Sequence, residues 1–239
     1  MGQLLDLLKS EGYRLGNNQV LLYDRKRPDL FPDGYLTKLY QLTKQSSRRP
    51  ERSPSSLGTL PTLFCGMQNL DHDSITTYLS SRAGLLILVR WTSPSTFVPI
   101  GFAFPSTLIG TMSKSGEKAI FGAYGFFSPW WGKPDILVLT ILGLAYFYRE
   151  FGLIAVHGLR YADNDRTARL MAQVGFRDDG TIPRYMCDQR GKLVDAVVST
   201  LEVEEFEPRA LKLLEGIVGD GEGIKQQSQS ADSKRDVSE

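Results

Sequence analysis

From Ile136 to Tyr148 the chain runs for about 13 residues without a charge, with Asp135 on one side and Arg149-Glu150 on the other. A membrane-spanning helix needs roughly 20 such residues, so this stretch reads as a helix buried inside a folded protein. Asp135 suits the positive end of the helix dipole and Arg149 the negative end. Gly152 suits a left-handed C-cap, and the expected helix runs from Asp135 to Phe151. At 239 residues the chain is long enough to bury such a helix within one ample domain or two small ones. Hydrophobic residues at 41% and charged residues at 23% exclude disorder throughout.

Short β-branched and aromatic runs surround this helix. Gln19 to Asp24, Leu85 to Trp91, Val98 to Phe104 and Lys118 to Phe127 read as strands before it. Leu153 to His157 reads as a fifth strand. Asp163 to Val174 reads as a helix with a capping Asp and a face of Ala, Leu and Met. Two further strands, Ile182 to Asp188 and Leu193 to Val203, flank the turn Gln189-Arg190-Gly191-Lys192. Weaker helix signals lie at Gly34 to Lys44, at Ser74 to Ser80 behind Asp71 or Asp73, and at Phe206 to Val218. Consecutive strands favour antiparallel pairing and the strand–helix–strand unit favours a parallel pair. The expected architecture is an α/β (α+β) fold: one mixed, mostly antiparallel sheet with helices on both faces.

The segment Gln45 to Gly58 is rich in Ser, Pro and Arg and reads as an exposed loop. Residues 1–218 are expected to form a single domain, with 219–239 a disordered tail of Gly, Gln, Ser and charge. With 28 Lys+Arg against 27 Asp+Glu, a net charge of +1 gives no global reason to expect nucleic acid or an anionic membrane. Only the basic residues between Arg25 and Arg52 leave a nucleic-acid partner open. Met1 to Ser10 lacks the basic start and cleavage site of a signal peptide. Two cysteines, Cys65 and Cys187, suit a reduced setting, so a cytoplasmic protein without membrane attachment is expected.

The run Asn164-Asp165-Arg166-Thr167-Ala168-Arg169-Leu170-Met171-Ala172-Gln173-Val174-Gly175-Phe176 resembles the signature of the GNAT N-acetyltransferase superfamily. In that family an Asn opens the helix after the fifth strand, and Gly-Phe closes it. The expected element order resembles the family too, over roughly Gln19 to Val203, with an enlarged loop near residues 45–66. The resemblance implies a GNAT-like acyl-coenzyme A N-acyltransferase fold. It also implies an opening between the fourth and fifth strands, where the pantetheine of acetyl-coenzyme A completes main-chain pairing. By position, Phe126, Phe127 and Ser128 would be the pantetheine edge, and Trp131, Gly132, Lys133, Pro134 and Asp135 the pyrophosphate loop. Asn164 and Arg166 would meet the coenzyme at a helix N-terminus, where free amides favour an anion. A structural alternative stands beside each: Asn164 as a cap, Arg166 solvated, Asp135 as an N-cap and Pro134 as a helix start.

The sequence departs from the family in two places. Pro134 removes an amide donor from the loop, and Asp135 brings negative charge to a place meant for phosphates. Lys133 is a compensating point charge. The tyrosine that serves many members as general acid corresponds here to Met171, which has no proton to give. Tyr161 and Tyr185 are the nearest phenols, and His157 is the candidate base. Asp71-His72-Asp73 reads as a helix cap, and no metal is expected. The leading function is acetyl or acyl transfer from acyl-coenzyme A to an amine of a small-molecule or protein acceptor. The alternatives are a catalytically degenerate binding or assembly protein on the same fold, and a nucleic-acid-associated modifying protein.

Overall fold

The computed structural model describes residues 3–24, 26–27, 29–31, 35, 84–112, 118–127, 130–187 and 192–219. Its strands are β1 (Arg14–Leu15), β2 (Asn18–Leu22), β3 (Leu86–Ser93), β4 (Thr96–Met112), β5 (Lys118–Phe126), β6 (Leu153–Tyr161), β7 (Arg177–Cys187) and β8 (Leu193–Glu202). Its helices are α1 (Gln3–Ser10), α2 (Pro134–Phe151), α3 (Asp165–Val174) and α4 (Val203–Gly219). The strands form one sheet in the order β1-β2-β3-β4-β5-β6-β8-β7. Every neighbouring pair is antiparallel except β5 and β6, which α2 connects as a parallel pair. The mixed, mostly antiparallel sheet expected from the sequence is the one found.

The apolar segment is the centre of the core. Ile136, Val138 to Ala145, Phe147 and Tyr148 of α2 are all buried, which explains why the helix carries hydrophobic residues around its circumference. One cluster joins them to Leu4, Leu5 and Leu8 of α1, Val174 of α3 and Phe206, Ala210 and Leu214 of α4. The same cluster takes in Val20, Leu86, Leu88, Ile100, Val156 and Leu201 from the sheet, so all four described helices cover one face. Two polar groups inside are bonded: Tyr148 Oη donates to Leu201 O at 2.7 Å and Thr140 Oγ1 to Ile136 O at 2.7 Å. Gly152 ends α2 in the left-handed region at φ 62°, as its position suggests. The opposite face carries Ile87, Val89, Phe102 and Phe104, covered in part by Phe31 and Tyr35. Apart from Tyr35, the helix signals at 34–44 and 74–80, the loop at 45–58, His72 and the tail at 220–239 lie outside the described residues.

Several boundaries differ from the sequence expectation. β6 continues past His157 to Tyr161 because β8 keeps pairing with it as far as Tyr161↔Ala196. β7 begins at Arg177, five residues before the apolar run at Ile182, since Arg177 and Asp178 pair with Thr200 and Ser199. β4 runs on to Met112 across an irregularity between Ser106 and Gly110. The cap of α3 is Asn164, whose Oδ1 accepts from Thr167 N at 3.1 Å, and Asp165 stands in the first turn.

Two glycines set how closely β4 and β5 approach at their paired end. A Cβ on Gly125 would sit 2.6 Å from the buried Phe102 ring, and one on Gly101 would overlap the Gly125 carbonyl oxygen. The second obstacle is backbone and cannot swing aside. Gly101→Ala is therefore expected to destabilise the protein by about 3 kcal/mol, read as a lower denaturant midpoint. An unchanged midpoint would refute the close approach.

Far from that end, Tyr13 Oη donates to Glu150 Oε1 at 2.6 Å, tying the turn after α1 to the last turn of α2. This bond first, with Lys9 and Arg149 assisting, holds the Glu150 carboxyl below its ordinary range. A depressed carboxyl stabilises the fold above the unfolded value of about 4.3 and loses that contribution as pH falls through the native value. Tyr13→Phe should therefore cost about 1–2 kcal/mol at pH 7. Chemical denaturation near pH 3 should show the difference from wild type shrinking.

Candidate functional site

β5 and β6 part company after a short parallel ladder. Lys118 pairs with Leu153 and, after a register shift, Ala119 with Ala155, Ile120 with Val156 and Phe121 with His157; beyond that point no pair joins the two strands. β5 stays with β4 as far as Phe126↔Gly101 while β6 stays with β8, so the sheet opens between them. From Phe121 to Phe126 the unpaired edge is about 17 Å long at 3.3 Å per residue. Phe127 N–H donates to Ile100 O on β4 at 2.9 Å, so by strand alternation the main-chain groups of Tyr124 and Phe126 turn the other way, into the opening.

The helices line this opening with small contacts. Tyr124 lies with its ring over Gly143 of α2, where a Cβ would be 3.1 Å from it, and edge-on to Phe147. Its hydroxyl is buried and has no hydrogen-bond partner among the described residues. Burial first, and the nearby Tyr148 second, push this phenol well above its ordinary pKa, so it stays neutral. On the facing wall, a Cβ on Gly158 would overlap the Met171 methyl, with Phe176 at 3.5 Å. Met171 thus reaches from α3 onto β6 just beyond its last pair with β5.

The mouth of the opening is built from two indoles and three cations. Trp131 Nε1–H donates to Phe126 O at 2.8 Å, so one inward-facing acceptor of β5 is already taken. The Arg166 guanidinium lies 5.1 Å over the Trp131 ring and Lys133 Nζ lies 4.5 Å over Trp130. Arg90 from β3 lies 5.8 Å from the Trp130 ring and pairs with Asp135 Oδ2 at 3.3 Å. Position by position, Lys133 occupies the N-cap of α2 with no side-chain capping bond and Pro134 starts the helix. Asp135 therefore does not cap; it sits in the first turn and is neutralised by Arg90. Lys133 N–H is spent on Trp130 O and Ile136 N–H on Lys133 O, and Pro134 has none, so these positions offer an anion little main-chain donation. Gly132 adopts φ 79°, a left-handed turn that admits the chain into the helix. Ser128 lies outside the described residues.

The remaining candidates separate clearly. Asn164 Oδ1 is engaged as the cap of α3. Tyr161 is 4% exposed and packed with Met186 and Ala196. It stands four residues from His157, about 13 Å along the strand, so the structure does not bring the two together. Tyr185 is 48% exposed, in a bulge where Ile182 pairs with Ala196 and Met186 with Val194. His157 occupies the vertex of the opening, at the last registered pair with β5, on the face opposite the helices. Its Nδ1 lies 2.7 Å from Thr200 Oγ1, and Thr200 Oγ1 lies 2.5 Å from Asp179 Oδ2. Thr200 and Asp179 escape a reading of the sequence because Arg177-Asp178-Asp179-Gly180 looks like a turn. Among the described residues, no group of three or more His, Cys, Asp or Glu side chains is placed to hold a metal, and no helix is long and apolar enough to cross a membrane.

No protein-family model matches the sequence, and no curated protein matches it. Solved structures do match. A spermidine N-acetyltransferase from Vibrio cholerae, in complex with CoA and spermine, superposes with TM-score 0.59 at 11% identity, over 80% of this chain and 98% of that one. RimJ from Mycobacterium smegmatis, in complex with CoA-disulfide, gives TM-score 0.59 at 15% identity, over 84% and 90%. A GNAT-family acetyltransferase from Bacillus anthracis gives 0.54 at 10% identity, over 80% and 98%. The fold is that of the GNAT acetyltransferases. On this GNAT fold the divergence of β5 from β6 is the opening that the sequence resemblance led us to expect.

One wall of the opening also holds a buried charge. Arg160 of β6, with its side chain 9% exposed, donates to Asp178 Oδ2 at 2.6 Å, and Ser199 Oγ donates to Asp178 Oδ1 at 2.6 Å. The Ser199 bond first, then Arg160, holds the Asp178 carboxyl below its ordinary range. Asp178→Ala would strip the guanidinium of its carboxylate and leave Ser199 without its acceptor. A loss of about 2 kcal/mol in unfolding free energy is expected; a loss under a few tenths would show that the pair does not hold β6 to β7.

Proposed function

We propose that this chain is an acyl-coenzyme A-dependent N-acyltransferase that transfers an acetyl group to an amine. The observation that carries the proposal is the unpaired edge of β5 opposite β6, whose inward groups at Tyr124 and Phe126 suit the amides of an extended pantetheine arm. The residues present fit such a ligand in part. The strand edge and the cations Lys133 and Arg166 suit the arm and its phosphates, with side chains substituting for a main-chain amide cradle. Phe127, Gly132, Pro134, Asp135 and Asn164 shape this region rather than donate to the ligand.

His157 is the proposed base. The acceptor's ammonium proton passes to His157, and the freed amine attacks the thioester carbon, forming the C–N bond as the C–S bond breaks. The proton the nitrogen then sheds goes to the departing thiolate, so no acid at Met171 is required, and the imidazolium returns its proton to water. Tyr185, exposed on the β7–β8 hairpin, is a proposed substrate-wall residue, and Tyr161 supports that wall from beneath. The acceptor is a small-molecule or protein amine, as spermidine is for the enzyme from Vibrio cholerae that shares the fold, and the setting is the cytoplasm.

A second reading, a degenerate GNAT-fold binding protein, draws on Met171, on the spent amides of the loop and on the Trp131 indole bonded to Phe126. The two readings differ in turnover, not in binding. Calorimetry with acetyl-coenzyme A should give saturable binding, weakened at least tenfold, about 1.4 kcal/mol, by Lys133→Ala combined with Arg166→Ala. No binding at millimolar acetyl-coenzyme A would overturn the proposal. Binding without acetyl transfer to any of a broad amine panel would favour the second reading.

A further inference from the structure

Two dipeptides in the last two strands split across the sheet. Asp178 and Ser199 turn to the helix face and meet Arg160, while Asp179 and Thr200 turn to the other face and meet His157. Asp179 is the extra residue of a bulge, since Asp178 pairs with Ser199 and Gly180 with Val198. It reaches Thr200, which stands directly across from His157 in the β6–β8 ladder.

The direction of the hydrogen bonds in this chain is fixed by chemistry. An ionised carboxylate accepts and cannot donate. The 2.5 Å contact between Thr200 Oγ1 and Asp179 Oδ2 therefore consumes the single hydroxyl proton of Thr200. The oxygen of that hydroxyl can then only accept from the imidazole 2.7 Å away, which requires a proton on His157 Nδ1. The reverse arrangement, with Thr200 donating to the imidazole, would leave the Thr200 and Asp179 oxygens 2.5 Å apart with no proton between them.

We infer that Asp179 and Thr200 are positioning residues that hold neutral His157 as its Nδ1–H tautomer, leaving the lone pair on Nε2 as the basic end. When Nε2 takes up a proton, the positive ring keeps its bond to Thr200, and Asp179 stabilises the charge through that hydroxyl. The role of this basic end in acyl transfer rests on the proposed function; the tautomer does not.

The test separates the two. Long-range proton–nitrogen correlation spectra of the full-length protein, with His157 assigned by comparison with His157→Gln, should show a protonated Nδ1 and an unprotonated Nε2 in the neutral ring. Thr200→Val, which keeps the side-chain shape, should move the ring toward the Nε2–H form that predominates in free imidazole side chains. Thr200→Ser should restore the wild-type pattern, and Asp179→Ala should release the hydroxyl to donate and shift the ring as Thr200→Val does. In acetyl-transfer assays Thr200→Val should lower kcat at least tenfold with KM for acetyl-coenzyme A unchanged. An Nε2–H ring in the wild type, or a ring indifferent to Thr200→Val, would overturn the inference whatever the activity. A fall confined to KM would overturn its catalytic part, whereas loss of acetyl-coenzyme A binding in the wild type would fall on the proposed function alone.

Discussion

The parting of β5 from β6 after Phe121↔His157 is the constraint on which the rest of the molecule is built. Leaving a strand edge unpaired inside a protein exposes main-chain groups that cost free energy unless something satisfies them. The structure tolerates the gap because each strand is held firmly from its outer side. β5 lies close against β4 where Gly101 and Gly125 allow it, and β6 is laddered to β8 along seven residues. α2 joins the two strands from beneath, and its apolar circumference keeps both in one core while their far ends separate. An edge so placed is suited to a guest strand or an extended amide-bearing ligand.

A glycine lies where α2 meets β5 and where α3 meets β6. Gly143 lets α2 come up to the ring of Tyr124, and Gly158 lets the Met171 methyl lie on the backbone of β6. These positions explain why Gly158, one residue beyond the strand expected from the sequence at Leu153 to His157, is instead an interior residue of it. The strand goes on because its partner does, and the missing side chain is required by a neighbour on α3. The same logic extends β7 back to Arg177: Asp178 is polar yet pairs with Ser199, and Asp179, the extra residue of the bulge, is held by its side-chain bond to Thr200, so the segment is strand rather than turn.

What periodicity and composition made legible was the buried helix, the succession of strands and the α3 segment ending before Gly175; the place where the sheet should open came only from the resemblance of the α3 run to the GNAT signature. Less legible were features that depend on which side chain answers another across the sheet. Asp135 looks like a cap until Arg90, 45 residues earlier, is seen to neutralise it. Asn164 and Asp163 are equally plausible caps in a linear reading, and only the bond from Thr167 chooses between them. His157 was visible as an imidazole near the end of an apolar run, but its register opposite Phe121 and Thr200, which puts it at the vertex, arises from three strands brought together by the fold.

The mouth of the opening shows how a GNAT fold can be recast without altering its frame. Main-chain amides at a helix N-terminus hold an anion through fixed dipoles that need no ordering when it arrives. Here Pro134 and the turn bonds of Lys133 and Ile136 remove much of that capacity, and the positive charge has moved onto flexible side chains. Lys133 and Arg166 rest on Trp130 and Trp131, where the aromatic faces hold them near the mouth at modest energetic cost. A ligand that drew them off would exchange cation–π contacts for charge-assisted hydrogen bonds, which are the stronger interaction. The indole of Trp131 meanwhile occupies the Phe126 carbonyl, so a strand-like ligand pairing along the whole edge has first to displace it. The two tryptophans thus act as a resting contact for the cations and, through the Trp131 indole, for the strand edge.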